Sequence, residues 1–490
     1  AASDGNGLPA PSRPTTMAGM TAPVLDLHPD RLFPPDPGVR RLARELYEAV
    51  EKLPIISPHG HVPPQWLSEN TPFTDPTSLL ITPDHYINRL MHARGVSLSD
   101  LGVGRGPLSE AEARQAFRIF CEHWPAYRGT PVRYWLEEEL AGIFGVRQRP
   151  SAQTADAIYD QIAAKLATEE FRPRALFDSF NISVLATTDD PCDDLSAHRA
   201  LAQDPTFTGR VIPTFRPDKY LDPGLPEWNA SVDNLAEVSG IDTGDYAGYI
   251  AALENRRAYF KEHGAVSSDH GHLDAGTAVL PAAEVERIYT AARSGSVSAE
   301  DARAFRWHMT SEMARMACDD GLVMTLHPGV RRNHHTPTFN TYGPDVGCDI
   351  PLAMEFTDSL RPLLEAYGTH PNLNLVLFTI DETVYSRELA PLAGFYPSVY
   401  IGVPWWFIDA PEAIRRFRSA VTETAGFSRI SGFIDDTRAF CSIPARHDMS
   451  RRLDAGYLAQ LVAEHRLGLD EAHEAITEMV VDNPTRIFKL

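Results

Sequence analysis

The 490-residue chain carries 45 Lys and Arg against 66 Asp and Glu, a net charge of −21, and 43% of its residues are hydrophobic. That is ample for a large core, and so acidic a surface argues against nucleic acid and anionic membranes as partners. Five scattered cysteines without a Cys-x-x-Cys pair fit a reducing, cytoplasmic setting, and no apolar run reaches transmembrane length.

Residues 1–22 lack the basic start and apolar core of a signal peptide, and read as a disordered leader or remnant of expression. From 23 to 490 short β-rich runs recur. They end at "PIIS" (54–57), "ISVLATT" (182–188), "VIPTF" (211–215), "AVSS" (265–268), "LVMTL" (322–326), "LNLVLFT" (373–379), "SVYIGV" (398–403) and "SGFI" (431–434). Helical patterns stand between several of them. One opens on the Ser298–Asp301 capping pattern and ends at Gly321; another runs from Ala410 to Gly426. Alternating strands and helices imply a parallel sheet, and eight such units predict a distorted (β/α)8 barrel. Such a barrel needs about 250 residues. The surplus is expected in a mostly helical insertion after the first strand, at about 66–180.

A barrel of this kind carries its active site at the C-terminal ends of its strands. Those ends hold His59 and His61; Asp189 and Asp190; Arg216, Asp218 and Lys219; Asp269, His270 and His272; His327, Arg331 and Arg332; Asp381; Trp405 and Trp406; and Asp435, Asp436 and Arg438. Taken singly, each has a commoner structural role. Loop aspartates cap helices, loop arginines are solvated, and paired tryptophans pack. Barrel geometry changes that judgement by bringing all of them to one rim. In "PHGHVPP" the two histidines share a face of an extended chain. The eighth strand lies beside the first in a closed barrel, so Asp435 or Asp436 can reach a metal held by His59 and His61, and alternation allows only one of them. Two imidazoles and a carboxylate suit Zn²⁺ or Mn²⁺. His270 and His327 are further candidates, and Arg216, Arg332 and Arg438 are placed for a substrate carboxylate or phosphate.

With "PHGHVPP", "DHYINRLMHARGV" (84–96), "ATTDDPCDDLSAH" (186–198), "FRPDK" (215–219), "LHPGVRRN" (326–333), "PWWF" (404–407) and "GFIDDTRAF" (432–440), the chain resembles the uronate (glucuronate) isomerases of the amidohydrolase superfamily. The resemblance implies one divalent metal, zinc or alternatively manganese, and aldose–ketose isomerisation of hexuronates such as D-glucuronate or D-galacturonate. It places the metal on His59, His61 and Asp436, and adds Tyr86, Arg438, His327 and Arg332 to the site. The sequence departs from many relatives at Ser57, where they are acidic, at "GVP" (402–404), and at "TIDETVYS" after the sixth run.

Isomerisation moves a proton between C2 and C1 of the open-chain sugar, so a polarised carbonyl and a nearby base are required. Tyr86 and Asp436 are the candidates for moving that proton, with His327 in support. A tyrosine beside a metal and an arginine is expected to have its anion favoured. Arg332, Arg216 and His270 are expected to bind substrate, with Trp405 or Trp406 facing the sugar's apolar side. A homo-oligomer without nucleic-acid or membrane partners is expected. The alternatives are a metal-dependent hydrolase of the same superfamily and a non-catalytic sugar-acid sensor. The missing histidine at the end of run six and the missing lysine at the end of run four weigh against the hydrolase.

Overall fold

Parallel pairing starts with Ile55–Ser57, which pairs with Ile182–Ala186, which in turn pairs with Arg210–Ile212. The computed structural model describes residues 23–490, so the expected leader at 1–22 lies outside the described residues. Pro213 has no N–H to give to a ladder and splits the third strand. Its second part, Thr214–Phe215, pairs with Ser267–His270. Pairing continues through Val323–Leu326 and Leu375–Leu377 to Val399–Ile401. All of these neighbours are parallel and follow chain order, so the fold is a distorted (β/α)8 barrel.

The eighth position departs from expectation. The run at 431–434 forms no regular strand: one parallel bridge joins Ile401 to Ile430, and Ser431 N–H donates to Ile401 O at 2.9 Å. Gly432 then takes a φ of +81°, which bends the chain out of an extended path. The barrel still closes, because His61 N–H donates to Thr437 O at 3.1 Å and Ser57 Oγ–H to Asp435 at 2.7 Å.

The fourth strand is also displaced, to Ser267–His270 rather than 265–268. Asp269 and His270 are therefore its last two residues, not a loop after it, and point to opposite faces. The two helical patterns form as read. Ser298 caps Ala299–Asp320 by accepting from Asp301 N–H, and Gly321 ends it at a φ of +80°. The second is Pro411–Ala425.

Between the first two strands the chain is helical, including His85–His92, Glu110–Glu122, Pro131–Glu137 and Ala155–Leu166. Trp124, Tyr127 and Trp135 from this stretch are buried in the same apolar cluster as the barrel strands. Among the described residues no helix is long and apolar enough to cross a membrane.

Candidate functional site

A cleft of about 570 Å³ opens at the C-terminal ends of the strands. His59, His61, Tyr86, Arg216, His327, Arg332, Trp405, Trp406, Asp436 and Arg438 all line it. Every expected site residue except His270 therefore meets in one place.

On one wall His61 Nε2 stands 2.8 Å from Asp436 Oδ1, and His59 Nε2 stands 3.4 Å from the same oxygen. Despite these distances Asp436 Oδ1 is buried and has no hydrogen-bond partner. The ring nitrogens and the oxygen are near one another without being aimed as donor and acceptor. Two ligands of a tetrahedral zinc, with bonds of roughly 2.0–2.1 Å, lie about 3.3 Å apart. The donor set and its spacing fit a divalent ion. Asp436 holds a φ of +42°, a strained value for a non-glycine residue, and this backbone brings its carboxylate round to the histidines.

Asp269 was not singled out as a site residue, yet it sits under the centre of the cleft. Its Oδ1 accepts from Thr325 at 2.7 Å and lies 2.6 Å from His327 Nδ1. Its Oδ2 lies 3.8 Å from His59 Nε2 and 3.3 Å from Arg216. With Nδ1–H given to Asp269, His327 presents a bare Nε2, which is buried and unpartnered. His327 is held between rings, stacked 4.7 Å from His59 and 4.1 Å from Phe378, with Trp405 edge-on at 4.7 Å. The signal that could have found Asp269 was its place in "SDHGH". Strand register decides between Asp269 and His270, and the strand ends two residues later than expected.

Electrostatics follow from this burial. Burial alone would raise Asp436 and Asp269, but the charges of the neighbouring histidines win and hold both carboxyls well below the usual range. Burial likewise opposes a charged His59, and the two aspartates overcome it and push that imidazole up. For His61 and His327 burial wins over the aspartates and lowers both. Two ionised carboxylates thus lie in a dry wall, a place that favours a cation.

Two expectations are corrected. Asp84 caps the helix His85–His92 by accepting from Tyr86 N–H at 3.0 Å, which sets Tyr86 in the first turn. Burial, reinforced by Asp409 at 2.9 Å from its hydroxyl, pushes Tyr86 well above the ordinary phenol value. Burial first and the Asp409 carboxylate second disfavour its anion, and together they outweigh the Arg446 guanidinium 4.9 Å over its ring. His270 does not face the cleft: it lies behind it, its Nε2 3.1 Å from Ser268 Oγ. Arg216 lines the cleft but is engaged with Asp218 and Asp269. Arg332 and Arg438 are joined through Asp345, at 3.7 and 3.1 Å, and Arg332 also lies 5.9 Å over the Trp406 ring. Trp406 and Phe407 both hold positive φ, +31° and +67°, so the "PWWF" turn is strained where it meets the cleft.

Comparison with known proteins gives one answer. Residues 39–488 match a family model described as glucuronate isomerase. A uronate isomerase of Cutibacterium acnes is 57% identical over 471 residues, which covers 96% of this chain and all of that protein. One from Corynebacterium efficiens is 52% identical over 465 residues, 94% of this chain and 98% of that one. The crystal structure of glucuronate isomerase from Caulobacter crescentus superposes with a TM-score of 0.93 at 48% identity, covering 95% of this chain and 97% of that one. A uronate isomerase structure from Thermotoga maritima gives 0.88 at 28% identity, over 94% and 99%.

Proposed function

The chain belongs to the glucuronate isomerase family, an enzyme family that isomerises hexuronates, and we propose how this cleft performs that reaction. The observation that carries the reading is the convergence of His59, His61 and Asp436 in a cleft that also holds Arg332 and Arg438. We assign the metal to those three residues, with zinc first and manganese second. Bound there, the ion supplies Lewis-acid polarisation of the sugar's carbonyl.

The residues supply the rest. Asp436, ionised and beside the reacting end, takes the C2 proton and returns it at C1. Tyr86 gives its one hydroxyl proton to Asp409 and accepts a hydrogen bond from a substrate hydroxyl. Arg438 offsets charge on the developing enediolate. Arg332, and secondarily Arg216, bind the uronate carboxylate, which competes with Asp345 for the guanidinium. Trp405 and Trp406 cover the sugar's apolar face, and His327 Nε2 accepts from a hydroxyl. The substrate is D-glucuronate, giving D-fructuronate, or D-galacturonate, giving D-tagaturonate, or both.

We also assign residues 23–490 to a single barrel domain with the stretch 66–180 as its insertion, a cytoplasmic location, and a homo-oligomeric state. Five unpaired cysteines support the location. The hydrolase reading is disfavoured by the family and by the sixth strand's continuation into Thr379-Ile380-Asp381, without a histidine.

The test is to strip the protein of metal, then assay ketose formation from both sugars with and without added Zn²⁺ or Mn²⁺. Metal-dependent ketose is expected. Metal-loaded, folded protein that turns over neither sugar would overturn the reading, as would release of product from lactones or esters instead.

A further inference from the structure

On the other side of Arg216 lies a second group of donor atoms that the reaction described above does not use. One donor atom each from Asp218, His270 and His272 lies within 4.8 Å of the other two. Asp218 Oδ1, His270 Nδ1 and His272 Nε2 are all buried, and none has a hydrogen-bond partner. Leaving one such buried atom unpaired is costly, so three together point to something that satisfies them.

The local structure aims these atoms. Asp218 follows the third strand, and its Oδ2 is fully engaged: it accepts from Gly271 N–H at 3.0 Å and Arg216 Nε–H at 3.1 Å. That leaves Oδ1 free to face the histidines. His270 is the last residue of the fourth strand and only 1% exposed. Ser268, two residues earlier on the same face, sits 3.1 Å from its Nε2. When Nε2–H donates to that hydroxyl, Nδ1 carries the bare lone pair, the arrangement that outer partners impose on metal-binding histidines. His272 Nε2 lies 3.7 Å from Asp218 Oδ1. That is too long for a hydrogen bond and close to the spacing of two zinc ligands.

We propose that Asp218, His270 and His272 form a second divalent-cation site of the zinc class, separate from the one assigned to His59, His61 and Asp436. Two imidazoles and one carboxylate are the same donor set, and three protein ligands leave a position open. Asp218 and His272 line the cleft while His270 closes the back, so the open position faces the cleft. An oxygen of the hexuronate or a water completes the coordination. Arg216 contacts Asp218 on one side and Asp269 on the other. Its charge separates the two sites, so the ions do not form a bridged pair.

The experiment counts metal. Full-length protein stripped with a chelator is titrated with Zn²⁺ alone, desalted, and its zinc measured by plasma mass spectrometry. Circular dichroism checks that each variant is folded. Wild type is expected to hold two equivalents, and His272→Asn and Asp218→Asn one each. His59→Ala is expected to lose the other equivalent, and the His59→Ala/His272→Asn double variant to hold none. Asp218→Asn and His272→Asn change residues at the cleft wall, so one of them carries the test if the other misfolds. A wild type that saturates at one equivalent overturns the proposal, as does a folded His272→Asn that still holds two. If His59→Ala keeps wild-type zinc while His272→Asn loses one equivalent, the first site is misassigned and this one stands.

Discussion

Asp435 and Asp436 are neighbours in the chain and serve two different regions, the barrel wall and the mouth. Asp435 is turned to the wall. Its Oδ2 accepts from Ser57 Oγ–H at 2.7 Å and lies 2.8 Å from His447 Nε2, tying the eighth segment to the first strand and to the helix Ile443–Ala463. Asp436 is turned to the mouth, where His61 Nε2 is equally close at 2.8 Å and no hydrogen bond forms. The same residue type at the same distance from a histidine does two things. A donor aimed along a lone pair makes a structural bond, whereas lone pairs that converge on a common point are arranged for an ion.

The largest expected effect breaks this comparison at the mouth. Asp436→Asn keeps the shape and removes the charge, and turnover should fall on the order of a thousandfold or more, as positioning and a general-base contribution are lost together. The protein should stay folded, and kcat at saturating metal is the measurement. An active Asp436→Asn beside a folded but dead Asp435→Asn would reverse the two assignments.

Next comes the anion wall. A substrate analogue lacking the carboxylate, or Arg332→Met with the natural sugar, should lower kcat/KM by roughly 10- to 150-fold, the loss of a charged hydrogen bond of about 1.5–3 kcal/mol. Equal kcat/KM for the acid and its neutral analogue would remove that role from Arg332.

At the wall, Asp435→Asn should lower stability by about 1–3 kcal/mol while substantial activity remains. Chemical denaturation gives the number. No change in stability would mean that the Ser57 and His447 contacts contribute nothing.

Asp189 sharpens the contrast from a third place. It is buried near the end of the second strand with Thr187 Oγ1 at 2.6 Å and Thr214 N–H at 3.1 Å. Its nearest histidine, His198, is 3.9 Å away and is itself lowered to about 4 by burial. Burial therefore wins at Asp189 and pushes it up to about 7. Between about pH 4 and pH 7 the folded state holds a proton that the unfolded state has released. The group's contribution to stability is therefore complete below about pH 4, declines as pH rises to 7, and is flat above. The slope is at most about 1.4 kcal/mol per pH unit. Unfolding of wild type and Asp189→Asn across this range should show their difference drifting in that direction; a constant difference would place the Asp189 proton elsewhere.

Several features were determined by the sequence alone. Eight spaced β-rich runs set the barrel, since strand–helix alternation has few other ways to bury continuous apolar strands. The caps at Ser298 and Gly321 placed a helix to within a residue, because capping is local chemistry. The histidine pair, the pair Asp435 and Asp436, and the arginines were legible because strand ends converge in any barrel, and the family resemblance is what singled out Asp436. Tertiary structure decided what depends on register and surroundings. A fourth strand ending two residues later put Asp269 under the cleft and turned His270 away, since each one-residue step along a strand reverses the face. Asp409, far from Tyr86 in sequence, receives that tyrosine's hydroxyl proton in a hydrogen bond and adds to burial in disfavouring its anion. Asp345 joined two arginines that the sequence left separate. In each case the deciding partner comes from a distant segment, and a pattern read along the chain does not contain the distance between them.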